Sequence, residues 1–267
     1  MNVRILWVAV AGVMAQHALA QEVGDQADIQ EVTQSGYEDL AQFGGPESVT
    51  AELKRNDAER EAIYQFDGLQ RNLAPYLDWK RRQQDENGFA MGFQYYMLYQ
   101  KASDSLPGED DDALGGIFRF QGSWTLFKRD NGNLGRIDYR VESRSNIGGF
   151  SAPGSLGGRT GVAALAPGFA YSDNFDTDIP VLNWTQIFAD GRFGYAVGRL
   201  AFDVYLDAFP FQTFSRGFLN RSFILNPAVP TTGIGAIGGV VKGFVSDNFW
   251  VGARMRDANA ASGDVDG

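Results

Sequence analysis

Two adjacent stretches of the sequence alternate strictly between apolar and polar side chains, which constrains the fold more than any other feature. The apolar set of the first stretch, 117–128, includes Phe118, Phe120, Trp124 and Leu126. The polar positions of the second stretch, 134–145, are Arg136, Asp138, Arg140, Glu142 and Arg144. A period of two residues places alternate side chains on opposite faces of a β-strand. Because Asn131-Gly132 is a hairpin turn signal, the pattern predicts an antiparallel hairpin with one charged face.

The same alternation recurs along most of the remaining chain. Further candidate strands cover 89–101, 191–199, 233–245 and 249–256. Segments rich in turn residues separate them, at 103–115, 146–158, 167–180 and 226–233. We count roughly eight candidate strands of about 10 residues, which predicts an all-β, antiparallel fold.

Three features favour a transmembrane β-barrel over a soluble sandwich, whose strands also alternate. Strands of about 10 residues fit a tilted membrane-spanning strand, whereas sandwich strands are mostly shorter. Aromatic residues such as Phe118, Phe127 and Phe193 lie near the ends of the apolar faces, where barrels carry interfacial girdles. Charges of both signs on the polar face suit the wall of a wide, water-filled lumen. We therefore expect the apolar side chains of the hairpin to face outward, namely Phe118, Phe120, Trp124, Ile137, Tyr139 and Val141.

The N-terminus has the pattern of a secretory signal peptide. Arg4 precedes an apolar run at 5–14, and Ala18-Leu19-Ala20 forms a small-x-small cleavage site. We predict that residues 1–20 are removed and that the mature chain begins at Gln21.

Composition excludes several classes of function. The 267-residue chain has no Cys, and its single His, His17, lies in the predicted signal peptide. A mature chain without either residue cannot form a Ser-His-Asp triad, a Cys-His pair or the commonest zinc and haem sites. We therefore expect no catalytic centre, metal or other cofactor. The net charge of −10 argues against nucleic acid, since phosphate neutralisation needs clustered Lys and Arg.

The segment between the signal peptide and the strands differs in character from both. Residues 21–45 carry acidic but no basic residues and predict a flexible leader. Residues 46–88 are rich in helix formers, with one predicted helix running from Asp67 to about Gln84 despite Pro75. Asn87-Gly88 is a helix stop signal. The partial barrel is assigned to 89–267.

Several short motifs resemble, in the same order, those of the carbohydrate-selective porins of Gram-negative outer membranes (the OprB family). They are Phe66-Asp67-Gly68-Leu69, the strand at 116–124, Gly191-Arg192-Phe193 with Gly198-Arg199-Leu200, the stretch at 203–207, Phe223-Ile224-Leu225-Asn226-Pro227, Gly233-Ile234-Gly235, and Asp247-Asn248-Phe249-Trp250 with Asp257-Ala258-Asn259. The resemblance covers about 64–260. It implies a sixteen-stranded outer-membrane barrel behind an N-terminal helical segment, and passive uptake of small sugars through a charged constriction.

The chain is short for that architecture. Sixteen strands with loops need roughly 400 residues, so we expect a C-terminally truncated chain holding about half the barrel. The alternative is a complete eight-stranded barrel, whose interior is only wide enough for side chains. The charged face of 134–145 would then be an internal salt-bridge plug instead of a pore wall.

The candidate functional residues are charges on the predicted wet faces, where sugars would meet hydrogen-bond donors and acceptors. They are Arg119, Arg136, Asp138, Arg140, Glu142, Arg144, Arg199, Asp203, Arg254 and Arg256. An Arg or Lys on the lipid face at mid-membrane costs about 2–4 kcal/mol. Five successive charges must therefore face water or protein.

The leading hypothesis is an outer-membrane porin for small sugars, embedded among lipid and lipopolysaccharide, with its oligomeric state left open. A general or anion-selective porin is the nearest alternative, because Arg outnumbers carboxylates on several wet faces. A secreted all-β glycan-binding protein or glycosidase is the alternative from another class. Asp138 and Glu142 lie about 13 Å apart along one strand face, too far for the roughly 5–5.5 Å of a retaining glycosidase pair.

Overall fold

The computed structural model describes residues 44–57, 67–129, 132–162, 168, 171, 177–188, 191–201, 203–206, 214, 218–220, 235–246 and 249–257. The predicted signal peptide and the predicted leader up to residue 43 lie outside these ranges. So do Asn131 and the motif residues Phe66, Asp207, 223–227, 233–234, 247–248 and 258–259.

Seven antiparallel strands form one open sheet in which each strand pairs with its neighbours in sequence. They are β1 (Phe89–Lys101), β2 (Asp112–Lys128), β3 (Leu134–Asn146), β4 (Asp178–Phe188), β5 (Phe193–Leu200), β6 (Ala236–Ser246) and β7 (Phe249–Arg256). The α-helices in the described residues are α1 (Val49–Asp57), α2 (Asp67–Asn87), α3 (Leu156–Arg159) and α4 (Asp203–Leu206). The predicted all-β, antiparallel class is confirmed in the described part of the chain.

The predicted hairpin is present. β2 and β3 pair antiparallel, with Arg119 opposite Glu142 and Gln121 opposite Arg140. The amide of Arg129 donates to the carbonyl of Asn133 across the turn at 2.8 Å, and Gly132 has a φ of +73°. The turn therefore carries five residues between the strand ends.

Two predicted turns are partly strand. β2 begins at Asp112, inside the predicted turn 103–115, and β4 begins at Asp178, inside the predicted turn 167–180. In β2 the glycine signal has another cause. A Cβ at Gly115 would lie 2.8 Å from the Cδ of Pro153, so glycine is required there by close packing and not by a turn.

The two faces of the sheet have inverted polarity. On one face of β1–β3, Phe93, Phe118 and Trp124 are 57%, 44% and 45% exposed. Val251 and Met255 of β7 are also exposed on this face. On the opposite face the charged positions of β2 and β3 are buried. We call these the outer and the inner face.

The outward orientation predicted for the hairpin agrees with this burial. The outer-face rings of β1–β3 contact one another across the strands instead of entering a core. Phe93 lies 4.7 Å from Phe120 and 6.2 Å from Phe118, and Phe120 lies 5.4 Å from Tyr139, between ring centroids. Cross-strand aromatic pairs of this kind stabilise a sheet from its surface.

Helix α1 lies on the inner face. Ser48 precedes it, and its Oγ accepts from the amide of Ala51 at 3.4 Å, as an N-cap serine does. Val49 and Leu53, one turn apart, are buried together with Val181, Leu200 and other residues of β4–β6 and α4. The apolar core therefore lies between α1 and one half of the inner face.

Helix α2 leads into β1 and is exposed over most of its length. It continues through Pro75, which is exposed, so water can solvate the carbonyl that the proline leaves without a donor. It ends at Asn87, and Gly88 follows with a φ of +65°, where the sequence predicted a stop. Lys80 of α2 pairs with Asp57 at the end of α1. Among the helices in the described ranges, none is both long enough and apolar enough to span a membrane.

Gly88 gives a test of how tightly α2 is joined to the sheet. A Cβ there would lie 2.4 Å from the carbonyl oxygen of Thr125, whereas a Cβ at Gly108 would meet nothing within 4 Å. Both glycines have positive φ, so both alanine variants carry about 1 kcal/mol of backbone strain. We expect Gly88→Ala to lose about 1–3 kcal/mol more than Gly108→Ala because of the added overlap. Chemical denaturation of both variants measures the difference, and equal losses would contradict the packing described.

Candidate functional site

Six of the ten candidate residues lie together, buried, on the inner face of β2 and β3. They are Arg119, Arg136, Asp138, Arg140, Glu142 and Arg144. The sequence predicted that they share a face, and the structure places them there. It differs in what covers them: α1 packs over the centre of this face, and the charges are bonded to protein groups. We call the group the charged cluster.

Glu52 of α1 anchors the helix to this cluster. Its carboxylate accepts from Arg119 Nη1 at 2.9 Å and from Gln121 Nε2 at 2.5 Å, and it lies 3.4 Å from Arg140 Nη2. Arg140 also donates to the backbone carbonyl of Glu47 at 2.8 Å and to Gln121 at 2.8 Å. One helical carboxylate therefore joins two arginines from neighbouring strands.

Glu142 forms the second centre of the cluster. Arg119 Nε donates to one of its oxygens at 2.8 Å, and Arg144 Nε donates to the other at 2.7 Å. Arg119 thus bridges Glu142 on β3 and Glu52 on α1. Its guanidinium also lies 5.7 Å from the ring centroid of Tyr96 and 5.1 Å from that of Phe214, which gives it cation–π contacts.

Asp138 and Arg136 form a third centre on β3. Arg136 Nε lies 2.9 Å from Asp138 Oδ2, and Thr185 of β4 donates to the same oxygen at 3.0 Å. Thr185 also bonds to Asn183, whose amide donates to the hydroxyl of Tyr205. Arg136, Asp138, Tyr205 and Ser48 are among the residues that line a small cavity between α1, β3 and α4.

Arg199 of β5 is also buried, but its register partners Leu182 and Ile237 are exposed on the outer face. Strict alternation would place Arg199 on the outer face with Val197, which is 50% exposed. Gly198 has a φ of +132°, and both Arg199 and Leu200 beyond it are buried. Arg199 Nη2 lies 3.2 Å from Asp178 Oδ1.

The remaining three candidates lie apart from the cluster. Asp203 was predicted on a strand-like wet face, but it begins the short helix α4, because β5 ends at Leu200 and the chain turns so that Val204 and Tyr205 are buried against α1. Arg254 and Arg256 lie on β7, alternating with exposed Val251 and Met255. Arg254 pairs in register with Val240, a core residue, which places it on the inner face at the far side of the sheet.

Burial and charge act in opposite directions on the two carboxyls of the α1 segment. Burial and the neighbouring Glu52 carboxylate raise the pKa of Glu47 to about 8, against the attraction of Arg119 and Arg140. Burial also opposes ionisation of Glu52, but Arg119 and Arg140 outweigh it and lower the pKa of Glu52 to about 2. At neutral pH, Glu52 is therefore the ionised partner of the two arginines and Glu47 holds a proton.

Sequence reasoning did not identify Glu52. Nothing in the motif around it separates it from Glu47, Glu59 or Glu61. The sequence did show an excess of positive charge on the polar face of the hairpin, which has four arginines and two carboxylates. Because buried guanidinium groups need anionic partners, this excess was the signal that could have been used. That excess indicates a carboxylate from elsewhere but does not say which one.

The comparisons with known proteins give no relative. The chain matches no protein-family model, no curated protein and no solved structure. The porin resemblance therefore rests on the motifs quoted above alone.

The raised pKa of Glu47 predicts a pH-dependent stability. Between pH 4.5 and about 8 the unfolded chain has released this proton and the folded chain still holds it, so the folding stability that it contributes falls as pH rises through this window. The groups that face it are Glu52, Arg119, Arg140 and, across the cavity, Arg136, Asp138 and Tyr205. We expect the stability of the wild type relative to Glu47→Gln to fall from pH 5 to 8 and level off above it. Thermal unfolding of both proteins tests this, and parallel pH profiles would contradict it.

The buried and exposed ion pairs should differ in their contribution to stability. Arg119→Ala removes the bridge between Glu52 and Glu142 inside the fold, and we expect it to cost about 3–5 kcal/mol. Arg159→Ala removes pairs with Glu109 and Asp110, which are 47% and 74% exposed, and should cost at most about 1 kcal/mol. Urea titrations of the two variants measure the contrast. If Arg119→Ala loses no more unfolding free energy than Arg159→Ala, the charged cluster does not stabilise the fold.

Proposed function

We propose that this protein is an outer-membrane porin through which small sugars diffuse passively along a charged, water-filled passage. The observation that carries the proposal is the inverted polarity of the sheet. A soluble protein buries the apolar face of a sheet and exposes the polar one. Here β2 and β3 do the opposite, with buried charges on one face and exposed aromatic residues on the other, as a membrane barrel with a polar interior does.

The outer face supports contact with lipid along most of the sheet. Exposed apolar residues occur on β1 and β2, on β4 and β5 (Leu182, Val197), and on β6 and β7 (Val241, Val251). An exposed apolar surface of this extent is rare on a soluble monomer and marks an interface. Aromatic rings lie toward the end of the sheet where α2 enters, among them Trp124, which is hydrogen-bonded to the carbonyl of Asn87 at 3.2 Å.

The inner face supports a polar passage. Its side chains offer guanidinium, carboxylate, amide and hydroxyl groups, which are the donors and acceptors that sugar hydroxyls exchange with water. In the described residues α1 covers the centre of this face. The passage proposed here therefore runs past α1 and not through the charged cluster.

The excess of arginine on the inner face favours one second candidate, an anion-selective porin. The alternative from another class, a secreted glycan-binding protein or glycosidase, gains less from the structure. Its best acids, Asp138 and Glu142, are both buried and bonded to arginines. We propose no catalytic role for them, and glycoside hydrolysis that is lost on changing either acid would contradict this.

Fractionation and flux together test the proposal. The full chain, expressed with its N-terminal segment, should fractionate with outer membranes and show heat-modifiable gel mobility. In proteoliposomes it should give swelling in neutral hexoses that exceeds swelling in sugar acids of similar size. Faster entry of the acids would favour the anion-selective candidate. Outer-membrane location without any flux, or recovery in the soluble periplasmic fraction, would contradict a porin.

A further inference from the structure

The described strands place far more positive than negative charge on the inner face. The cations are Arg119, Arg136, Arg140, Arg144, Lys242, Arg254 and Arg256. The carboxylates on the same face of the described strands are Asp138, Glu142 and Asp178. A passage lined by one sign of charge concentrates ions of the opposite sign. The strands alone would therefore make an anion-selective wall.

Helix α1 brings a compensating charge to the centre of that wall. The Glu52 carboxylate lies between Arg119 and Arg140, within 2.9 Å and 3.4 Å of their nitrogens. Two contacts fix the position of Glu52. Gln121 donates a hydrogen bond to its carboxylate, and the next residue of α1, Leu53, is packed in the apolar core. Glu52 thus acts from a defined site and not from a mobile loop.

We propose that Glu52 is a selectivity-determining residue, whose charge lowers the positive potential of the inner face and so favours neutral sugars over anions. This inference rests on the proposed function and deepens it. It assigns the control of selectivity to α1, outside the strands that form the wall.

The test is the reversal potential of the full chain in planar lipid bilayers under a potassium chloride gradient. Glu52→Gln keeps the shape of the side chain and one hydrogen-bond acceptor but removes the charge. We expect it to raise the ratio of chloride to potassium permeability by roughly twofold or more. Swelling assays should show a parallel gain for sugar acids over neutral hexoses.

Three further variants separate charge from structure. Glu86→Gln removes the same charge from an exposed position on α2 and should leave the permeability ratio unchanged. Glu52→Asp keeps the charge and should stay near the wild type. Arg140→Gln should shift the ratio toward potassium, and Glu52→Gln added to Arg140→Gln should return it toward the wild-type value.

The outcomes are distinguishable. If the wild type forms no channels, the proposed function fails and this inference fails with it. If the wild type conducts and Glu52→Gln has the same permeability ratio as Glu86→Gln, the assignment of selectivity to Glu52 is wrong while the porin stands. If Glu52→Gln alone gives no channels, its effect is measured by comparing the double variant with Arg140→Gln. The double variant lacks the guanidinium of Arg140, which the loss of the Glu52 charge would otherwise leave unpaired. No shift between these two variants also overturns the assignment.

Discussion

The ion pairs of buried arginine determine the arrangement of this protein. Removing a guanidinium from water without an anionic partner costs several kcal/mol, and Arg119, Arg136, Arg140 and Arg144 are all buried on one face. Two carboxylates on the strands, Asp138 and Glu142, satisfy part of this requirement. The remainder is met by Glu52, which requires α1 to lie on the inner face. Once α1 is there, Val49 and Leu53 find their own apolar partners on β4–β6.

The same constraint links the fold to the proposed activity. Successive side chains of a strand lie on opposite faces of the sheet. Because the charged residues lie on the inner face, the apolar residues that alternate with them lie on the outer face. Such a sheet is suited to an apolar medium against its outer face and a polar medium against its inner face. A bilayer around a water-filled passage would provide both. The helix that completes the ion pairs would then also set the potential met by a solute.

The sequence predicted the local structure well where one signal acted alone. The alternation of 117–145 predicted the β2–β3 pairing and its two faces, and Gly88 ended a helix as expected. Prediction failed where a tertiary contact decided the outcome. Gly115 was taken for a turn residue although it lies in a strand against Pro153, and Asp203 was placed on a strand-like face although its segment folds back as a helical turn. Arg199 was predicted on a wet face, whereas the structure buries it in a pair with Asp178.

If the protein is a porin, the outer face of the sheet contacts lipid and the inner face contacts water or protein. The chain has no cysteine, so single nitroxide labels can be placed without removing native residues. Labels at Phe118→Cys and Leu182→Cys test the outer face, and a label at Arg254→Cys tests the inner face. In proteoliposomes of the full chain, the account predicts that the outer labels collide more with oxygen, which partitions into lipid, than with a water-soluble nickel chelate. The inner label should show the reverse preference. Outer labels that collide chiefly with the nickel chelate would contradict the account.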